Sequence, residues 1–179
     1  MSENSLGDYI IKNGLASIDI HAKTSIPTSD ISRYKNGRTE LIPAERIYLI
    51  SLIVKDSLKE FLLKIYPKVA LQNETRPLVR TSSLLTTAFG VLINSIDDYT
   101  LNTISFKTGI AVKRLKDLSS KKNSIIWGHE LLLIELATNV EPGVYFKKLF
   151  SDLELNSTEV QEQLREVEKE RGRRKKKVQ

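Results

Sequence analysis

An all-α fold, two tandem five-helix units followed by a charged helix and a basic tail, is what the 179-residue sequence predicts. Apolar residues recur at spacings of three and four with no sustained period of two, the pattern of helices rather than strands. The chain also matches itself when shifted by 84 residues, and apolar, turn and C-terminal aromatic positions agree in that one register. A chain of this length accommodates two small cores, because domains below about 70 residues are marginal but do fold alone.

The shift pairs Ile20 with Ile104, Lys23 with Lys107, Thr24 with Thr108, Ile26 with Ile110 and Ile31 with Leu115. Farther on it pairs Tyr34 with Leu118, Ile47 with Leu131, Ile50 with Ile134, Phe61 with Tyr145 and Tyr66 with Phe150. Solenoid units repeat at about 20 to 50 residues, so a longer period marks separate domains. The expected division is 1–69 and 82–155 for the two units, 70–81 for a linker and 156–179 for the charged helix and tail.

In the first unit, helix one covers Leu6 to Lys12 and stops at Asn13-Gly14, a left-handed C-terminal signal. Helix two runs from Ser17 to Thr24. Pro27 suits the first turn of helix three, which reaches Asn36 before Gly37 releases the chain. Pro43 opens helix four, to about Val54; Ser57 caps helix five, and Pro67 ends it after Tyr66. The second unit has a longer first helix, Ser83 to Ser95, then Asp97-Asp98 and Thr100 as the cap of its second helix. Gly109 marks the turn, helix three covers Val112 to Leu118, helix four follows Trp127 and Pro142 begins helix five. Residues 68–82 are polar, contain Pro77 and lack periodicity, which suits a linker. Thr158 to Arg171 is strongly charged with Val160, Leu164 and Val167 as its apolar stripe, the pattern of an exposed or pairing helix.

Composition narrows the function. No apolar run approaches the about 18 residues of a membrane helix, so no membrane association is expected. Zero cysteines exclude disulfides, thiolate nucleophiles and cysteine-based metal sites, and agree with a reducing compartment. The first eight residues carry two acids and no base, unlike a signal peptide, so the expected location is the cytoplasm. His21 and His129 are the only histidines, and no nucleophile elbow or phosphate-binding loop is present, so neither an enzyme nor a bound cofactor or metal is expected. Of the net charge of +6, Arg171, Arg173, Arg174, Lys175, Lys176 and Lys177 supply the equivalent of the whole, leaving the body near neutral. Nucleic-acid binding by the body therefore has to come from local patches.

Such a patch is suggested by one motif. Thr103-Ile-Ser-Phe-Lys-Thr-Gly-Ile110, and Ile26-Pro-Thr-Ser-Asp-Ile-Ser-Arg-Tyr-Lys-Asn-Gly37 in the first unit, place apolar residues around a tight turn between two short helices. Both stretches resemble the lambda-repressor-like (Xre-like) helix-turn-helix family, over about residues 6–67 and 83–151. The chain departs from that family at His21, where alanine is usual, and at Ser25, where the turn glycine belongs. It departs again at Lys121, which stands where the first unit has Gly37, and at Trp127-Gly128, which replace a proline-led helix start.

The resemblance implies that the N-terminal half of each third helix enters the major groove of double-stranded DNA. Transferred position by position, it makes Thr28, Ser29, Ser32 and Arg33 the base-facing candidates of the first unit, with Ser17, Lys35 and Arg38 nearby for phosphates. In the second unit it points to Ala111, Val112, Lys113, Lys116 and Asp117, with Arg114, Lys121 and Lys122 for the backbone. Asp117 is repelled by phosphates, which makes the second helix the weaker candidate. The terminal run, Arg173, Arg174 and Lys175 included, reads as a disordered phosphate-seeking arm. A homodimer paired through Val160, Leu164 and Val167 is a further expectation. Three function classes follow: a sequence-specific transcription regulator, an antitoxin-like protein or adaptor that uses one unit for a protein partner, and a non-specific architectural DNA binder.

Overall fold

The computed structural model describes residues 5–39, 41–73, 87–96 and 100–177, with Ser5 and residues 174–177 as backbone only. Among these the chain forms eleven helices and no strand. They are α1 (Ser5–Lys12), α2 (Ser17–Thr24), α3 (Thr28–Lys35), α4 (Ala44–Ser51), α5 (Leu58–Ile65), α6 (Ala88–Asn94), α7 (Leu101–Thr108), α8 (Val112–Ser120), α9 (Gly128–Ala137), α10 (Val144–Phe150) and α11 (Thr158–Lys177). No helix among the described residues is long and apolar enough to cross a membrane.

Helices α7, α8 and α9 each begin 84 residues after α2, α3 and α4. Packing repeats as well. In the first half α1 lies on α3 and α5, α2 on α3 and α4, and α4 on α5; in the second, α6 lies on α8 and α10, α7 on α8 and α9, and α9 on α10. Equivalent apolar residues fill equivalent places: Ile20 and Ile104, Ile31 and Leu115, Ile47 and Leu131, Ile50 and Ile134, Phe61 and Tyr145 are all buried. The two halves are not insulated from each other, because one continuous apolar cluster runs from Leu6 to Phe146. Their meeting line is α4 against α9 and α10. There the Ala44 N–H donates to the Ile126 carbonyl at 2.9 Å, and the Gly128 N–H donates to the Ile42 carbonyl at 2.8 Å, forming an antiparallel bridge between Pro43 and Trp127. Glycine is required at 128 by close approach, since a Cβ there would lie 2.9 Å from Ile47 Cγ1 and 2.5 Å from the Tyr66 hydroxyl.

Several helix limits differ from those expected. Helix α4 ends at Ser51 rather than near Val54, where the Ser51 hydroxyl donates to the Tyr48 carbonyl at 2.6 Å and competes with the helical ladder. Helix α8 continues past Leu118 to Ser120, with Ser119 and Ser120 hydroxyls bonded back to the Leu115 and Lys116 carbonyls. Pro142 does not begin helix five: Gly143, at φ +98°, breaks the chain direction and α10 starts at Val144. The described part of the second half's first helix starts at Ala88, with Thr87 as its N-cap accepting from Gly90 N–H. Residues 83–86, Asp97-Asp98 and 74–81 of the expected linker lie outside the described residues.

Two polar devices hold the halves internally, each solved differently on the two sides. In the first, Arg46 of α4 donates to Asp30 of α3 at 2.8 Å and to the Tyr34 hydroxyl at 2.6 Å. At the 84-shifted positions the charges are exchanged: Arg114 of α8 makes a two-pronged pair with Glu130 of α9 at 2.9 and 2.8 Å and also donates to the Ile125 carbonyl at 2.6 Å. The second device caps the fifth helix of each half. Helix α5 has a local capping box between Ser57 and Glu60. Helix α10 has no local cap and borrows Glu135 of α9, which accepts from the N–H groups of Gly143, Tyr145 and Phe146 at 2.8, 2.6 and 3.4 Å. Burial pushes the Glu135 carboxyl up to about 7 and outweighs these three donors, which act in the opposite direction.

Arg114→Ala leaves the buried Glu130 carboxylate with the Trp127 N–H but no cation, and is expected to destabilise the fold by about 2–4 kcal/mol in urea unfolding. The exchange Arg114→Asp with Glu130→Arg copies the first half's arrangement, so the double variant should recover more than half of that loss. An acid whose pKa is raised on folding stabilises the fold below its unfolded value and loses that contribution as pH rises through the folded one. The stability advantage of the wild type over Glu135→Gln should therefore shrink between about pH 4.5 and about pH 7 in a pH series of thermal melts. His129, whose pKa is lowered by burial, acts in the opposite sense but is common to both proteins and cancels in the difference.

Candidate nucleic-acid interface

Helices α2 and α3 are joined by three residues, as are α7 and α8. Both turns are built alike. Thr24 donates its hydroxyl to the Ile20 carbonyl at 2.6 Å and accepts from Ile26 N–H at 3.2 Å; Thr108 does the same with Ile104 and Ile110 at 2.7 and 3.1 Å. The residue after the threonine is left-handed in both, Ser25 at φ +60° and Gly109 at φ +75°. A non-glycine residue in that conformation costs about 1–3 kcal/mol and persists only where its surroundings hold it. At Ser25 they do, because Asn156 Nδ2 donates to its hydroxyl at 2.9 Å. His21 Nδ1 lies 2.8 Å from the Ile26 carbonyl, so this larger side chain serves the turn.

Beyond the turns, α3 and α8 bury Ile31 and Tyr34, and Leu115 and Leu118, against the core. Neither helix has a side-chain cap at its N-terminus, where Pro27 and Ala111 stand. The outward faces differ. On α3, Thr28, Ser29 and Ser32 come together along one side of a groove of about 290 Å³, whose other side is Glu168, Arg171 and Gly172 of α11. The Thr28 hydroxyl lies 3.5 Å from Glu168 Oε2, and Ser32 returns its proton to the Thr28 carbonyl at 2.8 Å. Arg33 projects with its side chain 66% exposed, 3.5 Å from Asp30, and Arg38 is exposed in the following loop. Lys35 is turned inward: its ammonium donates to the Leu15 carbonyl at 2.7 Å and ties α3 to the loop after α1. Ser17 is half-buried at the first residue of α2.

Among the described residues no helix lies across the face of α8. Lys113, Lys116, Lys121 and Lys122 are exposed, Ala111 is exposed and Val112 is half-buried beside them. Lys121 pairs with Asp117 at 2.8 Å, and this partner holds the Asp117 carboxyl below the usual range. The carboxylate that weakened this helix as a sequence candidate is thus neutralised in place. Arg114 does not belong to this surface, because Glu130 and the Ile125 carbonyl occupy its guanidinium.

Comparison with protein-family models, curated proteins and solved structures finds no match. The interface therefore rests on the geometry of this chain.

The C-terminal segment departs most from expectation. The backbone stays helical to Lys177 instead of passing into an irregular arm after Arg171, and α11 lies along α2. Asn156 begins the clasp: its N–H donates to the Lys23 carbonyl at 2.8 Å and its side chain to the Ala22 carbonyl at 2.7 Å, satisfying carbonyls at the C-terminal end of α2. Arg165 then reaches Asp19 at 3.2 Å. Gln161, Leu164, Arg165 and Glu168 form the covered side, whereas Val160 and Val167 are exposed. Arg173 is exposed on α11; the side chains of Arg174 and Lys175 lie outside the described residues.

Asn156→Ala removes two side-chain hydrogen bonds of this clasp while leaving every apolar contact of the body in place. Tryptic cleavage within 161–173 should accelerate at least several-fold, with the melting temperature of the body moving by only a few degrees. Unchanged cleavage kinetics would show that α11 is held without Asn156.

Proposed function

We propose that this chain is a sequence-specific DNA-binding transcription regulator built from two tandem five-helix units of the helix-turn-helix type. In this reading the N-terminal halves of α8 and α3 lie in the major groove. The observation that carries it is the α8 face, where Lys113 and Lys116 are exposed on the first turns of a helix with no side-chain cap, beside the small side chains of Ala111 and Val112, and Lys121 and Lys122 are exposed at its other end. Cations on such a face neutralise phosphates, free N–H groups at the helix start favour an anion, and a valine methyl suits the methyl of thymine. The paired threonine-locked turns support the same reading, because each joins two short helices through three residues, the tight connection a helix-turn-helix requires. On the first unit Arg33 is the residue suited to two-pronged recognition of guanine.

A second reading, an adaptor that accepts a partner helix on one unit, is favoured by α11, which already lies along α2 and brings Glu168 to Thr28. Duplex binding separates the two. The full chain should prefer DNA from upstream of its own gene over an unrelated fragment at physiological salt, and ending the chain at Glu170 should lower affinity for both while keeping the preference. Lys113→Ala with Lys116→Ala should weaken binding to all duplexes and reduce the salt slope by about one unit per lysine. Equal affinity for all duplexes, lost on truncation, would favour an architectural binder; no binding at all would favour the adaptor.

A further inference from the structure

The contacts between the two halves share a property that a simple tandem arrangement does not produce. When two copies are related by translation, a residue of one meets a different residue of the other, never its own equivalent. When they are related by a two-fold axis, residues near the axis meet their own equivalents and every contact is returned. Here Pro43 bridges Trp127, its equivalent at the 84-residue shift. The hydrogen bonds of that bridge are returned, Ala44 to Ile126 and Gly128 to Ile42, with Ala44 equivalent to Gly128 and Ile42 to Ile126. Helix α4 packs on its equivalent α9.

The aromatic residues that close the fifth helices both reach the fourth helix of the other half, at different positions along it. Tyr66 packs against His129 near the start of α9, with ring centroids 6.5 Å apart, and its equivalent Phe150 packs against Tyr48 of α4 at 6.0 Å. Farther along the seam the start of α5 meets the segment before its equivalent α10. Lys59 pairs with Glu141 at 2.8 Å, and Leu58 packs on Gly143, whose added Cβ would sit 2.9 Å from Leu58 Cγ. Leu41 and Ile125, again equivalents, both remain exposed immediately before the bridge.

We infer that one copy of this chain is a covalently joined pseudo-dimer, and that it recognises a single DNA duplex as an inverted pair of dissimilar half-sites. This rests on the DNA-binding reading above and adds the arrangement of the target. A local two-fold axis between the halves relates α3 to α8, so when both engage one duplex their half-sites run in opposite directions, as two-fold symmetry of protein and duplex requires. Direct repeats do not fit that geometry. The half-sites differ because the faces differ: hydroxyls and one guanidinium on α3, lysines and small apolar groups on α8. The joined halves need no second copy, so binding involves no monomer–dimer equilibrium.

The test is selection of duplexes from a randomised pool by the full chain, with native mass spectrometry of the complexes formed. Two different motifs in inverted orientation, at one spacing and with one chain per duplex, are expected. Reversing one motif to make a direct repeat, or adding about half a helical turn between the motifs, should then reduce affinity at least about tenfold. Enrichment of a direct repeat, of a lone motif, or of a symmetric palindrome carrying two chains would overturn the inference while leaving DNA recognition standing. Failure to enrich any sequence would remove the DNA-binding reading itself and the inference with it.

Discussion

Two returned backbone hydrogen bonds, from Ala44 to Ile126 and from Gly128 to Ile42, fix where one half of this molecule stands against the other. Backbone groups removed from water need partners, and here each half supplies the other's. The bridge also places the N-termini of α4 and α9 side by side, so the two helices bury their apolar residues into one cluster rather than two. The gain is in core size: a unit of about 70 residues is marginal by itself, whereas a joined core removes more apolar surface per residue from water. The seam has a cost as well. The Tyr66 hydroxyl is buried against Gly128 without a hydrogen-bond partner among the described residues, and burial raises its pKa. A buried unpaired hydroxyl opposes folding by about 1–3 kcal/mol, which the surrounding apolar contacts outweigh.

Within each half, the exchanged charge pairs show what is being conserved between the repeats. Asp30 with Arg46 and Arg114 with Glu130 have opposite polarity but occupy the same two positions, so the requirement is a bond from the third helix to the fourth. That bond sets the angle at which the third helix leaves the core, and hence which of its side chains face outward. The pairs differ in their remaining contacts. Arg46 also binds the Tyr34 hydroxyl, while Arg114 reaches the Ile125 carbonyl in the loop that follows α8. The second half thereby ties down a loop that the first half turns with Gly37, at φ +63°, and Lys121 stands in extended conformation at the equivalent place.

Much of this was legible in the sequence where a residue type answers to one local requirement. Ser17–Thr24, the Ser57 cap, the Thr100 cap and the left-handed Gly14, Gly37 and Gly109 follow from capping and turn chemistry alone. The period of 84 located the repeat, since buried positions recur wherever packing recurs. What escaped depends on partners distant in sequence. Glu135 looks like one charge in an apolar helix until α10 is seen to lack a cap. Arg114 and Lys35 look like surface cations until Glu130 and the Leu15 carbonyl are placed beside them. The docking of α11 was illegible for a different reason: its covered stripe, Gln161, Leu164, Arg165 and Glu168, is mostly polar, and the apolar stripe read from the sequence points largely to solvent.

Helix α11 sets the described part of the first half apart. Among the described residues α3 has a helix beside its first turn, with a carboxylate 3.5 Å from Thr28, and α8 has none. Acids prevail in the early part of α11, which lies along α2, and bases at its end. Glu168 is itself paired with Arg171 at 3.3 Å, so near a phosphate backbone its charge beside Thr28 is offset, and the exposed Arg173 adds a cation to the neighbouring surface. In the second half Asp117 is paired with Lys121 at 2.8 Å, so the described face of α8 presents Lys113, Lys116 and Lys122 without an unpaired acid beside them. Under the DNA-binding reading proposed above, one chain would present two outward helix faces of unequal electrostatics, and the duplex it fits would then have a direction even though the returned hydrogen bonds of the seam have none.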